Sequence, residues 1–87
     1  MAKSVAEFNQ YVVAQRTLGK DVSLPTMLRT YMKHVQRFNK YMLREYVYRT
    51  IGNSYRSPEF DKLINSTVDR IAKTDAFSFD GEYYKVV

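Results

Sequence analysis

Apolar residues recur at helical spacing over most of the chain and alternate only near its end. Val5, Phe8 and Val12 follow Ser4-Val5-Ala6-Glu7. That tetrapeptide fits a capping box: the Ser4 hydroxyl takes a free amide of the first turn, and the Glu7 carboxylate reaches back to the Ser4 amide. Gly19 accepts a positive φ cheaply and suits a helix end, so a first helix is expected over about 5–18. A polar turn over 19–24 ends in Ser23, a candidate N-cap. Leu24-Pro25 follows, with proline where its missing N–H costs nothing. Between Pro25 and Gly52 there is neither glycine nor proline. The pattern predicts one long helix over about 25–51, roughly 40 Å in length, with His34 to Asn39 as the place where a break would fall. Ser57-Pro58-Glu59 restarts the chain with an N-cap, a proline and an acid in the first turn. Phe60, Leu63, Ile64, Val68 and Ile71 then form a stripe that predicts a third helix over about 58–74. Ala76-Phe77-Ser78-Phe79 alternates, Asp80-Gly81 reads as a tight turn, and Glu82 to Val87 is rich in strand formers, which together predict a hairpin. The expected fold is mainly α: a single small domain over 1–87, with three helices, a long central one among them, and a short C-terminal β-hairpin.

On a helical projection of the central stretch, Leu28, Tyr31, Met32, Val35, Phe38, Met42, Leu43 and Tyr46 fall in one broad sector. Arg29, Lys33, Arg37, Lys40 and Arg44 fall in a narrow sector nearly opposite, with Tyr41 and Tyr48 at its edge. One face should therefore pack on the other helices and the other should form a cationic ridge. The charge balance sharpens this picture. The chain carries a net charge of +5. Residues 29–56 hold seven basic groups against Glu45 alone, whereas residues 57–87 hold four basic and six acidic groups. Like charges stacked at helical spacing repel by a few tenths of a kcal/mol per pair. A polyanion laid along the ridge would turn that repulsion into attraction and release counterions. The expected site is thus Arg29, Lys33, Arg37, Lys40 and Arg44, helped by Arg49 and Arg56. Tyr41, Tyr48 and Tyr55 would stack or hydrogen-bond at its edge.

Other chemistry is poorly represented. There is no cysteine, which excludes disulfides, thiol nucleophiles and cysteine zinc sites. One histidine, His34, excludes multi-histidine metal centres and stands alone, so it reads as a boundary residue. Asp61, Asp69, Asp75, Asp80 and Glu82 match no metal-loop spacing, and four of them fall at helix-cap or turn positions. No apolar run approaches the roughly 20 residues needed to cross a bilayer, and the N-terminus leads into an amphipathic pattern. The expectation is a non-enzymatic nucleic-acid-binding protein without cofactor or metal, a regulator or inhibitor in the cytoplasm (the host's, if viral) or a virion. It would bind RNA slightly in preference to DNA, with weak sequence preference, and would form a homodimer. Two alternatives stand beside this: an interaction module docking its basic helix on an acidic partner protein, and a winged-helix DNA-binding protein. A membrane-surface helix is disfavoured, because the apolar face is needed for the core.

The winged-helix alternative rests on the last third of the chain. Ser66-Thr67-Val68-Asp69-Arg70-Ile71 resembles the start of a recognition helix, and Asp80-Gly81-Glu82-Tyr83-Tyr84-Lys85 resembles the wing hairpin that follows one. The resemblance implies that Asn65, Ser66, Thr67 and Arg70 face a DNA groove. No turn precedes Ser66, and the central helix is the preferred surface. In size and composition the chain is also similar to small accessory proteins of bacteriophages.

Overall fold

The computed structural model describes residues 3–75 and 77–85. Helix α1 spans Val5–Thr17 and α2 spans Leu24–His34. Strand β1 is Arg37–Phe38, α3 is Lys40–Ile51, a 3-10 turn covers Asn53–Tyr55, and α4 is Pro58–Thr74. Strands β2, Ser78–Phe79, and β3, Tyr84–Lys85, close the order. The three strands form an antiparallel sheet in the order β1-β3-β2, with Arg37 and Ser78 both in register with Lys85, and Phe38 and Phe79 with Tyr84.

Local chemistry sets most of these boundaries. The capping box at Ser4 and Glu7 is present in both directions, at 3.2 and 2.8 Å. Helix α1 ends at Thr17, one residue before the expected limit, with Leu18 as its cap and Gly19 following at φ 80°. Ser57 caps α4 by accepting from the Phe60 amide at 3.1 Å, and α4 takes the expected limits. At the hairpin turn, Asp80 Oδ1 accepts from the Tyr83 amide at 2.8 Å and the Glu82 amide at 3.0 Å, and Gly81 takes φ 101°. Positions 76, 86 and 87 of the expected hairpin lie outside the described residues.

The long central helix is not continuous. After His34 the chain turns extended at Val35, with φ −118° and ψ 145°, and runs through β1 before a new helix begins. Two things make the break. Phe38 is drawn fully into the core, where its ring stacks on Tyr84 at 5.6 Å and meets Phe77 edge-on at 5.3 Å. Asn39 then opens α3, its Oδ1 accepting from the Met42 amide at 2.8 Å. The mainly helical expectation holds, with four helices in place of three and a third strand taken from the expected helix. An Asn39→Ala change should cost about 1 kcal/mol, the usual worth of an N-cap, read as a lowered urea midpoint with unchanged slope.

The apolar sector of the expected helix now packs on itself. Tyr31 of α2 meets Tyr46 of α3 with ring centroids 4.6 Å apart. Leu28, Met32, Phe38, Leu43 and Val47 join Phe60, Ile64, Val68 and Ile71 of α4 in one core. Helix α1 is fastened to that core mainly by Phe8, whose ring lies edge-on to Phe60 at 5.2 Å and to Tyr55 at 5.7 Å.

Candidate nucleic-acid interface

The break distributes the expected ridge over α2, β1 and α3, and the fold brings acids to several of its cations. Arg29 pairs with Asp75 at 3.2 Å, and Lys40 pairs with Asp69 at 2.9 Å. Arg44 donates to Asn65 Oδ1 at 2.8 Å. Arg56 binds Glu45 at 2.8 Å and lies over the Tyr48 ring at 4.4 Å. The Arg56 guanidinium holds the Glu45 carboxyl below its ordinary range. Lys33, Arg37 and Arg49 are exposed and have no carboxylate at ion-pair distance among the described residues. Arg37 instead stacks over the Tyr83 ring at 4.4 Å.

Of the expected edge aromatics, Tyr41 is 63% exposed. Tyr48 and Tyr55 are not available for stacking: both are buried, Tyr48 to 1% exposure. The new helix start at Asn39 resets the phase of α3, so that Leu43, Val47 and Tyr48 turn inward. Tyr48 is a structural residue whose hydroxyl donates to Asp61 Oδ1 at 2.5 Å. Burial, followed by this bond, pushes its phenol well above the ordinary tyrosine value of 10.0.

A group whose folded pKa is raised stabilises the fold fully below its unfolded pKa and less above it. Stability should therefore start to fall as pH rises past about 10, the unfolded tyrosine value. Tyr48→Phe should cost about 1.5–3 kcal/mol at neutral pH, the worth of a hydrogen bond to a charged group, and should flatten the alkaline decline. Urea midpoints at neutral and alkaline pH would check both.

These contacts form a ladder between α3 and α4. Tyr48 meets Asp61, Arg44 meets Asn65, and Lys40 meets Asp69, one helical turn apart on each helix and in opposite directions. The ladder ties the two helices antiparallel and leaves the far side of α4 free. There Glu59, Lys62, Ser66, Arg70 and Lys73 are exposed, with Asp69 at the border between that side and the ladder. Asp69 is engaged by Lys40 and by the Tyr84 hydroxyl, 3.2 Å away. Burial and the Asp69 carboxylate push the Tyr84 phenol up. Lys62, Arg70 and Lys73 have no ion-pair partner among the described residues, and neither does the exposed Glu59 of the first turn, so the outer surface of α4 carries three unpaired cations against one unpaired acid.

The hairpin flanks this face through the Tyr84–Asp69 contact. Beside it, Asn39, Lys40 and Tyr41 at the start of α3 and Phe79, Glu82 and Tyr84 of the hairpin line a cleft of about 360 Å³. Phe79 is 56% exposed there, with its ring 4.6 Å from that of Tyr84.

Of the groove residues implied by the winged-helix resemblance, Ser66 and Arg70 are exposed and Asn65 is half-buried against Arg44. Thr67 is a correction: it is 4% exposed, and its hydroxyl donates to the Leu63 carbonyl at 2.7 Å. Ser66 stands in the middle of α4, which begins at Pro58 after a turn at Gly52 to Ser57. Sequence reasoning passed over Lys62 and Lys73, whose signal was their place opposite the Phe60–Ile71 stripe.

Among the described residues no group of three His, Asp or Glu side chains could hold a metal ion, and no helix is long and apolar enough to cross a membrane. No family model, no curated protein and no solved structure matches the chain.

Proposed function

We propose that the protein is a small, non-enzymatic DNA-binding protein that docks as a winged helix, with α4 as the reading helix and the β2–β3 hairpin as the wing. The observation that carries this reading is the order of elements from α2 onward: helix, strand, helix, turn, helix and hairpin, with β3 lying between β1 and β2. That is the order of a winged helix, and in helix-turn-helix proteins the second helix of the pair enters the major groove. The charge on α4 supports it, since Lys62, Arg70 and Lys73 are free to meet phosphates while Asp69 is neutralised within the chain.

Two features support duplex DNA over RNA in this reading. The RNA preference rests on arginines and exposed aromatics set along one helix. With that helix divided and Tyr48 in the core, the feature suited to splayed bases is reduced to Tyr41 and Phe79. A duplex groove asks instead for a protruding helix with polar and basic side chains, and α4 offers Lys62, Ser66 and Arg70.

Fluorescence anisotropy with a labelled DNA duplex about two helical turns long (~20 base pairs), the RNA duplex of the same sequence and both single strands tests the proposal. The expected result is tightest binding to duplex DNA, with affinity falling steeply between about 50 and 200 mM salt. Absence of binding to duplex DNA at the lower salt, by protein shown to be folded, would overturn it.

A further inference from the structure

We infer that the chain has a second phosphate-binding site, separate from the α4 face, in a recess formed by Lys33, Arg37 and Lys85 at the end of the sheet away from the hairpin turn. The recess is open, measures about 800 Å³ and is lined by Lys33, His34, Val35, Gln36, Arg37 and Lys85. Among the described residues its lining holds three cations and no carboxylate.

Three observations point to an anion. Arg37 and Lys85 are direct partners in the antiparallel register of β1 and β3. Like charges directly opposite one another destabilise a sheet, and a two-residue edge strand has little else to spend on them. The nearby acids do not resolve the conflict. Asp75 is held by Arg29, and Asp80 pairs with Lys85 at 3.7 Å, which leaves Lys33 and Arg37 without a carboxylate among the described residues. Lastly, Arg37 is already ordered, with its guanidinium stacked on the Tyr83 ring at 4.4 Å. A stacked guanidinium keeps its N–H edge for a two-point bond to phosphate, and less side-chain freedom is lost on binding. Lys33 and Lys85 would then act as point charges on the same or the next phosphate. Repulsion built into the sheet would become attraction when adjacent phosphates enter.

The occupant that fits is a run of phosphates on a nucleic-acid strand. Only that source of the phosphates rests on the proposed function; the phosphate chemistry of the recess does not. The protein would thus contact nucleic acid both through α4 and through the sheet edge.

The test uses the full chain and two double variants, R37Q with K85Q in the recess and R70E with K73E on α4. Backbone amide signals are followed by NMR during titration with inorganic tripolyphosphate alone and with duplex DNA, and duplex affinity is measured against salt. Shifts at residues 33–37 and 85 with tripolyphosphate are expected. The recess variant should keep or gain thermal stability at low salt, bind duplex about tenfold more weakly, and lose about two from the salt slope, near one per phosphate contact. A gain in stability together with a loss of affinity is the signature, because a merely solvated basic edge would give the first without the second. If tripolyphosphate shifts 33–37 and 85 while duplex DNA does not bind at all, the proposed function fails and the phosphate site stands. If neither ligand moves those signals, or the recess variant binds duplex with unchanged affinity and slope, the second site is overturned.

Discussion

Reversing Arg70 and Lys73 to glutamate is expected to lower duplex affinity on the order of a hundredfold at about 100 mM salt. Both side chains are exposed on α4 and lack an ion-pair partner among the described residues, so the change should leave the fold intact. Loss of each contact is worth about 1–3 kcal/mol, and 1.4 kcal/mol is a factor of ten. Reversal also places new carboxylates beside Asp69, which repels phosphate further. The salt slope should fall by about two. Asp69→Asn should act in the other direction. It removes an acid from the docking face and frees Lys40, now held 2.9 Å from Asp69, to meet phosphate, so affinity should rise severalfold. If both variants bind as the parent does, the charge on α4 has no part in recognition. Anisotropy titrations over a range of salt would read all of these quantities.

Phe60→Ala is expected to bring the fold close to unfolding. The ring is fully buried and touches three other rings: Phe8 at 5.2 Å, and Tyr48 and Tyr55 at 5.8 Å each. Truncating a buried phenylalanine costs about 3–5 kcal/mol, because the lost contacts are joined by a cavity. A domain of this length is stable by about 4–13 kcal/mol, so the change removes a large share of the total. The melting midpoint should fall by roughly 15 °C or more. Helix α1 should loosen first, since Phe8 rests on Phe60 and Tyr55. Val13→Ala, at a side chain 61% exposed on the same helix, should change stability by less than about 0.5 kcal/mol. Thermal melts of the two variants side by side would separate core loss from any general intolerance of α1 to substitution.

The elements legible in the sequence are those written in local chemistry. The capping box at Ser4, Ser57-Pro58, the Phe60–Ile71 stripe and Asp80-Gly81 each act within a few residues, and each marks an element that forms. The break between α2 and α3 is different in kind. Val35 to Phe38 contain no glycine or proline, and their spacing fits a helix. What pulls them out of one is β3, which pairs Arg37 with Lys85 from the far end of the chain, together with the aromatic pocket of Phe77 and Tyr84 around Phe38. Nothing local announces a partner so distant. Asn39 was the one local sign, as an N-cap three residues before the Met42 amide it serves.

The pairing of the basic residues was illegible for a related reason. Along the sequence the basic middle and the acidic last third stand apart. In the folded chain they meet. Asp75 and Asp69 come from the acidic third to Arg29 and Lys40, and Asn65 comes to Arg44. Segregation of charge along a sequence can therefore serve pairing between segments as readily as binding of a polyanion. Among the described residues the cations left without an ion pair include Lys62, Arg70 and Lys73 on α4, Lys33 and Arg37 near the sheet edge, and Arg49 on α3.

If α4 and the hairpin form the docking face, ¹⁵N-labelled protein titrated with duplex DNA at about 50 mM salt should show saturable amide shifts over Lys62 to Lys73, at Lys40 to Arg44 and in the Phe79–Tyr83 turn, with Gln10, Val13 and Thr17 on the outer side of α1 unmoved. Shifts confined to α1, or no shift anywhere in the chain, would contradict it.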